Sequence, residues 1–438
     1  MSRLLQCCAR LGAIGMFGAA ALTAHADYTF YEQGDTKAAI SLTLVAAGFD
    51  NSDSWFGESE SFLGEDTDGW MEFGSEAGVN FETGLGRGTL YGALTGVYTA
   101  TQNDDASGLT VDLNDTDDFT LEQRHVGWRV DDVFAGLSND TVSISVGRQD
   151  YTIGTGLVIN DGSGDGGNRG GWYIGMRKVF PESVILKLKS DELLLEVFTL
   201  ENDPRKGGIN GEANGFNAEY YFGGKGTLGG SYIYVDAKLP GADELDVYSG
   251  RGEIKPLDGL ALSGEYVRQE SSDIEADGYY AQGTYEFQGA PWTPSLTYRY
   301  AHFDGDDPGT DTDEQYREIA YGYTDYGYWY QGEITGNYPL GNGNLVSHMI
   351  RAKATPVEGI TASLFYYNFT LDQEQIFGDP VSSDEWGDEI NLTVDWEATD
   401  NVYLIGVLGT LKPGDAAKEW VGGDQDWNYL MLYVSYSL

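Results

Sequence analysis

The closing stretch of the chain constrains its fold more than any other feature. Leu430, Leu432, Val434, Tyr436 and Leu438 share one face of an extended run that reaches the final residue. Upstream, Ile390, Leu392, Val394 and Trp396 alternate with Glu389, Asn391, Thr393 and Asp395. A period of two is the signature of a strand with one apolar and one wet face. It recurs around residues 141 to 189, where Val142, Ile144 and Val146 oppose Ser143, Ser145, Gly147 and Gln149. A glycine- and aspartate-rich loop follows from Asp161 to Gly171, and then Val184, Leu186 and Leu188 oppose Ile185, Lys187 and Lys189. A chain ending in mid-strand on an apolar residue fits a sheet closed on itself, because pairing the last strand with the first leaves no open backbone edge.

The first 26 residues read as a cleaved secretory signal: Arg3 and Arg10, an apolar run from Leu11 to Leu22, then Ala24-His25-Ala26 as a small-x-small site. Leu5-Gln6-Cys7 does not supply a lipobox, and the apolar run is too short to serve comfortably as a membrane anchor. Both cysteines, Cys7 and Cys8, fall inside this segment, so no disulfide framework is expected in the rest. No later stretch approaches the ~20 consecutive apolar residues of a membrane helix. The 61 glycines, 30 tyrosines and 10 tryptophans, against 11 prolines, favour strands and tight turns. A net charge of -45 excludes nucleic acid as a partner, which needs basic surface, and fits acidic loops that meet salt or divalent cations.

In an outer-membrane barrel, periplasmic turns are short, outer loops are long and the strand number is even. Tight connections such as Gly84 to Arg87, Ser190 to Glu192, Pro256 to Gly259, Pro356 to Gly359 and Thr399 to Asn401 carry turn chemistry. Long acidic ones run through Gly48 to Gly69, Tyr151 to Gly171, Asp304 to Gly343, Leu371 to Glu385 and Lys412 to Asp426. After a periplasmic lead-in over 27–36, a single barrel over 37–438 is expected. Its strands fall near 37–47, 70–82, 88–100, 119–130, 141–149, 174–189, 192–200, 214–222, 227–237, 245–254, 260–269, 277–287, 294–303, 344–354, 360–370, 386–397, 401–411 and 427–438. The count is eighteen if 174–189 is one projecting strand and Tyr326 to Tyr338 belongs to a loop. Counting those as extra strands makes twenty and puts tight turns on the wrong side. The expectation is an all-β, antiparallel up-and-down transmembrane barrel in a Gram-negative outer membrane, monomeric, in contact with lipid and lipopolysaccharide and inserted by the outer-membrane assembly machinery.

The order of motifs resembles the alginate export family of outer-membrane barrels. It comprises Gly147-Arg148-Gln149 ending a strand, the glycine-rich loop, Trp172 with Arg177 and Phe180, and Asn344-Leu345 opening a strand that ends at Pro356. Trp386-Gly387-Asp388-Glu389-Ile390, Lys412-Pro413-Gly414-Asp415 and the closing aromatic strand complete it. The resemblance implies an eighteen-stranded barrel that passes a polysaccharide or other hydrophilic solute. A general diffusion porin without solute preference, an enzyme barrel and a filled structural barrel are the competing classes.

Strand parity places Lys187, Lys189, Arg251, Arg299, Arg351 and Lys353 on the lumen face, with Glu196, Glu389 and Asp395 roughly balancing them. Arg148, Arg177, Trp172, Tyr328, Trp329 and Tyr330 are candidates for a constriction that touches solute, aromatic faces being suited to stacking on sugar rings. Arg148 follows the apolar parity of its strand, so either it lies above the hydrocarbon or a bulge at Gly147 turns it inward, and a structural arginine paired with loop carboxylates is weighed against the solute-contacting one. Asp304, Asp306, Asp307, Asp311 and Asp313 offer clustered oxygens suited to calcium, against the reading of a solvated acidic loop. No other cofactor is expected. Enzyme chemistry finds no serine-centred motif beside His302, and the periplasmic turns are too short to plug a wide bore, so any gate should be external.

Overall fold

A computed structural model describes residues 27–64, 67–106, 115–162, 166–202, 211–239, 242–322 and 331–438. The chain begins with β1 (Tyr28–Gln33), followed by β2 (Thr36–Ser52), β3 (Gly69–Leu85), β4 (Gly88–Gln102), β5 (Thr116–Asp131), β6 (Thr141–Gln149), β7 (Phe180–Lys189), β8 (Leu193–Glu201) and β9 (Gly211–Tyr221). Next come β10 (Gly226–Leu239), β11 (Ala242–Leu257), β12 (Leu260–Glu270), β13 (Glu275–Glu286), β14 (Ser295–Phe303), β15 (Leu345–Val357) and β16 (Ile360–Thr370). A two-residue hairpin, β17 (Gln375–Ile376) and β18 (Asp379–Pro380), precedes β19 (Glu385–Thr399), β20 (Val402–Pro413) and β21 (Trp427–Ser437).

Each strand from β2 to β16 pairs antiparallel with the next, β16 pairs with β19, and β21 pairs with β2 through Thr43↔Ser437 to Ser52↔Asn428. The ring therefore closes with eighteen strands, all antiparallel, and every backbone edge in it is used. The expected segment over 27–36 is not a plain lead-in. β21 stops opposite Thr43, which leaves the lower edge of β2 bare, and β1 turns back at Gly34 (φ +60°) to cover it over Thr36 to Ile40. The expected strand 174–189 begins only at Phe180, because the residues before it leave the wall and enter the barrel. The expected signal segment lies outside the described residues.

Parity holds strand by strand. Leu94, Leu121, Ile144, Leu186, Val197, Leu262, Ile350 and Leu392 all point outward and are exposed, making an apolar belt for lipid. Above it, outward tyrosines donate to aspartates on neighbouring strands: Tyr232 to Asp246 (2.6 Å), Tyr266 to Asp277 (2.7 Å) and Tyr366 to Asp388 (2.8 Å). These pairs suit the boundary where an aromatic body meets lipid and its hydroxyl meets water. Inside, the two halves differ. Toward the periplasm the inward residues are polar and reached by solvent, as at Lys187, Lys189, Lys353 and Asp395. Toward the outside they are buried in one apolar core with residues of two inward-folded loops, among them Phe49, Trp70, Ile233, Val247, Phe303, Tyr367 and Trp427.

Candidate functional site

The loop after β6 and the loop after β14 enter the barrel from the outer side and meet there. Ile159 bridges Ala320, Asn160 donates its backbone N–H to the Ala320 carbonyl (2.7 Å), and Gly322 donates to Gly156 (2.9 Å). The first loop crosses the bore. Near its start the Tyr151 hydroxyl donates to Glu196 on β8 (3.2 Å) and Thr155 to Glu265 on β12 (2.9 Å). Near its end, Tyr173 and Ile174 donate their backbone N–H groups to one oxygen of Glu72 on β3 (2.8 and 3.0 Å), and Lys178 and Val179 donate theirs to Glu122 on β5 (3.0 and 3.2 Å).

The second loop is held in the same way. Glu389 on β19 accepts the backbone N–H groups of Ile334 and Thr335 (2.9 Å each) and the Asn391 amide (2.8 Å), while the Gln269 side chain on β12 exchanges two hydrogen bonds with the Arg317 backbone. A carboxylate that accepts two consecutive backbone N–H groups satisfies donors that an irregular buried segment otherwise leaves orphaned. Glu72, Glu122, Glu196, Glu265 and Glu389 are each at most 3% exposed. Of the lumen carboxylates that the sequence sets against the basic residues, Glu196 and Glu389 therefore hold the plug. Glu72 and Glu122 share their inward faces with other polar residues, among them Glu76, Asn80, Asp118 and Thr120, so nothing in the alternation marks them out.

The basic residues divide by depth. Lys187 pairs with Glu196 (2.8 Å) and its side chain remains 38% exposed. Glu196 also accepts from Asn217 (2.8 Å), which in turn accepts from Arg251, itself paired with Glu219 (2.6 Å). Arg251 is buried against the first loop, where a Cβ on Gly154 would strike it. Arg299 is fully buried in the outer half. Arg351 donates to Ser363 and lies over the Phe365 ring (4.9 Å). Lys189 and Lys353 open onto the periplasmic vestibule, where Asp395 accepts the Tyr403 hydroxyl (2.7 Å).

Of the candidates for solute contact, Arg148, Arg177 and Trp172 are buried. At Gly147 (φ +124°) the ladder shifts register, and this bulge turns Arg148 inward to donate to the Glu122 carbonyl (2.9 Å), with the Glu122 carboxylate 3.6 Å away. Arg177 is fully buried, bonding the Asp118 carbonyl (3.0 Å) and Thr99, and Arg169 joins it at Asp118 (3.4 Å). Trp172 packs over Gly166 and is 5% exposed. Arg148, Arg177 and Trp172 all brace the plug. Tyr328, Trp329 and Tyr330 lie outside the described residues. Of the other aromatics in that loop, Tyr338 stacks on Trp427 (5.4 Å, 29°) and meets Tyr173 (5.2 Å), and burial drives the Tyr316 hydroxyl pKa up.

The five aspartates expected to gather around calcium do not converge. Asp306 accepts the Glu314 backbone N–H (3.2 Å), Asp307 accepts that of Gly309 (2.8 Å), Asp313 pairs with Arg317, and Asp311 is exposed. Asp304 turns instead to His302, whose ring nitrogens face Asp304 and Asp372 on one side and Tyr300 on the other rather than a serine.

A closed antiparallel ring with an oily exterior, a polar lower bore and long loops folded in from one side defines an outer-membrane β-barrel of a Gram-negative cell. Residues 256–429 match the family model described as alginate export, in keeping with an alginate export family barrel. The match takes in the motifs at Asn344, Trp386 and Lys412 and leaves out the earlier one at Gly147. No curated protein sequence matches the chain. Solved structures of Pseudomonas aeruginosa barrels share the fold. OccK5 (OpdH) is 14% identical with a TM-score of 0.57, covering 92% of this chain and 98% of that one. OpdK, solved with vanillate, is 14% identical at 0.56 over 92% and 98%. OprD is 13% identical at 0.55 over 97% and 98%.

Proposed function

We propose that this barrel is a selective channel for a hydrophilic, saccharide-like solute, closed at rest by its own two outer loops. The observation that carries this reading is the pinning of both loops to the wall by buried carboxylates and Gln269, above a vestibule open to the periplasm. An eighteen-stranded ring encloses a bore wide enough for an aqueous path, and here two loops fold into it from the outside. The alginate export match supports a uronate-type polymer as the cargo class, and the partly exposed Lys187, Lys189, Arg351 and Lys353 are the cations that would meet it.

A small organic carboxylate is the second reading. The filled outer bore favours it, and OpdK, a barrel of the same fold, was solved with vanillate. Planar-bilayer recording separates the two. The saccharide reading expects rare, small openings of the intact barrel that become large and steady when residues 316–340 are deleted, with current through the deletion variant blocked by uronate oligomers and unaffected by neutral sugars or vanillate. Block by vanillate alone would favour the small-acid reading. Silence from both the intact and the deleted barrel would overturn the channel itself.

A further inference from the structure

The geometry points to a divalent transition-metal site at the neck of the second inward loop, formed by His302, Asp304 and Asp372. Their ligand atoms all lie within 4.8 Å of one another, and among the described residues this is the group of His, Cys, Asp or Glu side chains that does so. His302 Nε2 is 3.0 Å from Asp304 Oδ1 and 3.4 Å from Asp372 Oδ1. The three come from different places: the outer end of β14, the first residue of the loop it feeds, and the loop beyond β16.

What distinguishes this trio from an ordinary ion pair is that groups outside it hold each ligand in place from behind. Asp304 Oδ2 accepts the Asp277 backbone N–H (2.7 Å), which leaves Oδ1 to face the imidazole. Asp372 Oδ2 accepts the Gly305 N–H (3.0 Å) and likewise leaves Oδ1. The imidazole stacks flat on Tyr279 (5.1 Å, 15°) and presents Nδ1 to the Tyr300 hydroxyl (3.5 Å), so Nε2 is the nitrogen turned toward both carboxylates. Outer partners that fix tautomer and ring angle in this way are the usual companions of metal-bound histidine. Asp277, a further acid beside the trio, is engaged by Arg268 (3.2 Å) and Tyr266.

One imidazole nitrogen with two carboxylate oxygens suits zinc, manganese or cobalt better than calcium, which takes six to eight oxygens. Three protein ligands leave at least one position for water. The ligand side chains are 18 to 26% exposed at the outer rim, so an ion can enter from outside, and the strongly acidic envelope of the barrel concentrates cations there. The site also lies where the loop leaves and rejoins the wall. The Asp304 carbonyl accepts the N–H groups of both Tyr316 and Asn344 (3.0 Å each), and Gly305 is tied to Asp372. A bound ion therefore clamps the neck of the loop to the loop beyond β16.

The test uses the full barrel in detergent, stripped with chelator and titrated with ZnCl2 alone, with bound metal read by calorimetry and elemental analysis. One zinc per barrel is expected, with affinity at least about tenfold lower in Asp372→Asn and in His302→Ala, and unchanged in Asp307→Asn. Zinc should also slow proteolysis within residues 305–343 of the wild type and not of Asp372→Asn. Heat-modifiable migration on gels confirms that each variant is folded, and Asp372→Asn stands alone if His302→Ala is not. Equal zinc uptake by wild type and Asp372→Asn, no uptake by the folded wild type, or displacement of zinc by equimolar calcium would each overturn the assignment.

Discussion

At the residue scale, the plug depends on how buried charge is satisfied. Glu389 has hydrogen bonds on both oxygens, so removing it strands two backbone donors. Glu389→Ala is expected to cost about 1–3 kcal/mol for each donor left without a partner and to expose 331–340 to protease in an otherwise folded barrel. Beside it, Glu333 from the loop is fully buried against Glu389, Tyr338 from its own loop and Tyr429 from β21. Burial pushes its carboxyl well above the ordinary value of 4.5, and the Glu389 charge adds to this. A carboxyl with a raised pKa in the docked loop binds its proton more tightly there than when released. Docking is therefore strongest below pH 4.5 and weakens as pH rises from there toward the docked value. Open probability in bilayers should climb across that window, and Glu333→Gln should flatten the climb. In the vestibule, Lys187→Glu replaces an ion pair with two facing carboxylates; reversal potentials in a salt gradient should move toward cation preference, and an unmoved potential would remove Lys187 from the conducting path.

At the element scale, two glycines occupy positions that a side chain would disrupt. A Cβ on Gly156 (φ +84°) would lie 1.9 Å from the Gly322 carbonyl, where the two inward loops cross. Gly156→Ala should part the loops and raise conductance while leaving the apparent folding temperature of the wall little changed, since the crossing lies off the ladder. Gly147 (φ +124°) makes the bulge that turns Arg148 inward, with a Cβ only 2.4 Å from the Arg124 carbonyl. Of the strands themselves, most boundaries were readable from alternation to within a few residues. The exception is the segment before Phe180. Its apolar residues, Trp172, Tyr173 and Ile174, resemble a strand in composition, yet they pack inside the barrel instead of along its wall.

At the scale of the whole molecule, closure governs everything else. β2 is the seam: it pairs with β3 on one side, and on the other with β21 above and β1 below. Deleting residues 427–438 leaves β2 and β20 as open edges, which lipid does not tolerate. The truncated chain should fail to give the heat-modifiable, protease-resistant form in detergent or bilayer, whereas deletion of 316–340 should still give it. The contrast follows from where the loops sit. They fill a ring that the wall closes by itself.

Alternation is written into each strand locally, so the sequence showed most strands, their facing, the side of the tight turns and the sites of the long loops, and the parity of turns and loops favoured eighteen strands over twenty. It could not assign the inward charges, because a carboxylate on lumen parity looks the same whether it meets water, an arginine or the backbone of a loop. Only the folded ring decided that Glu72, Glu122 and Glu389 grip the plug, that Arg148 and Arg177 are spent bracing it, and that Asp372 joins His302 and Asp304. Arg148 meets Glu122 across one hairpin, but the other pairings join a wall residue to a loop from elsewhere in the chain, and such side chains meet only once the loops have turned in.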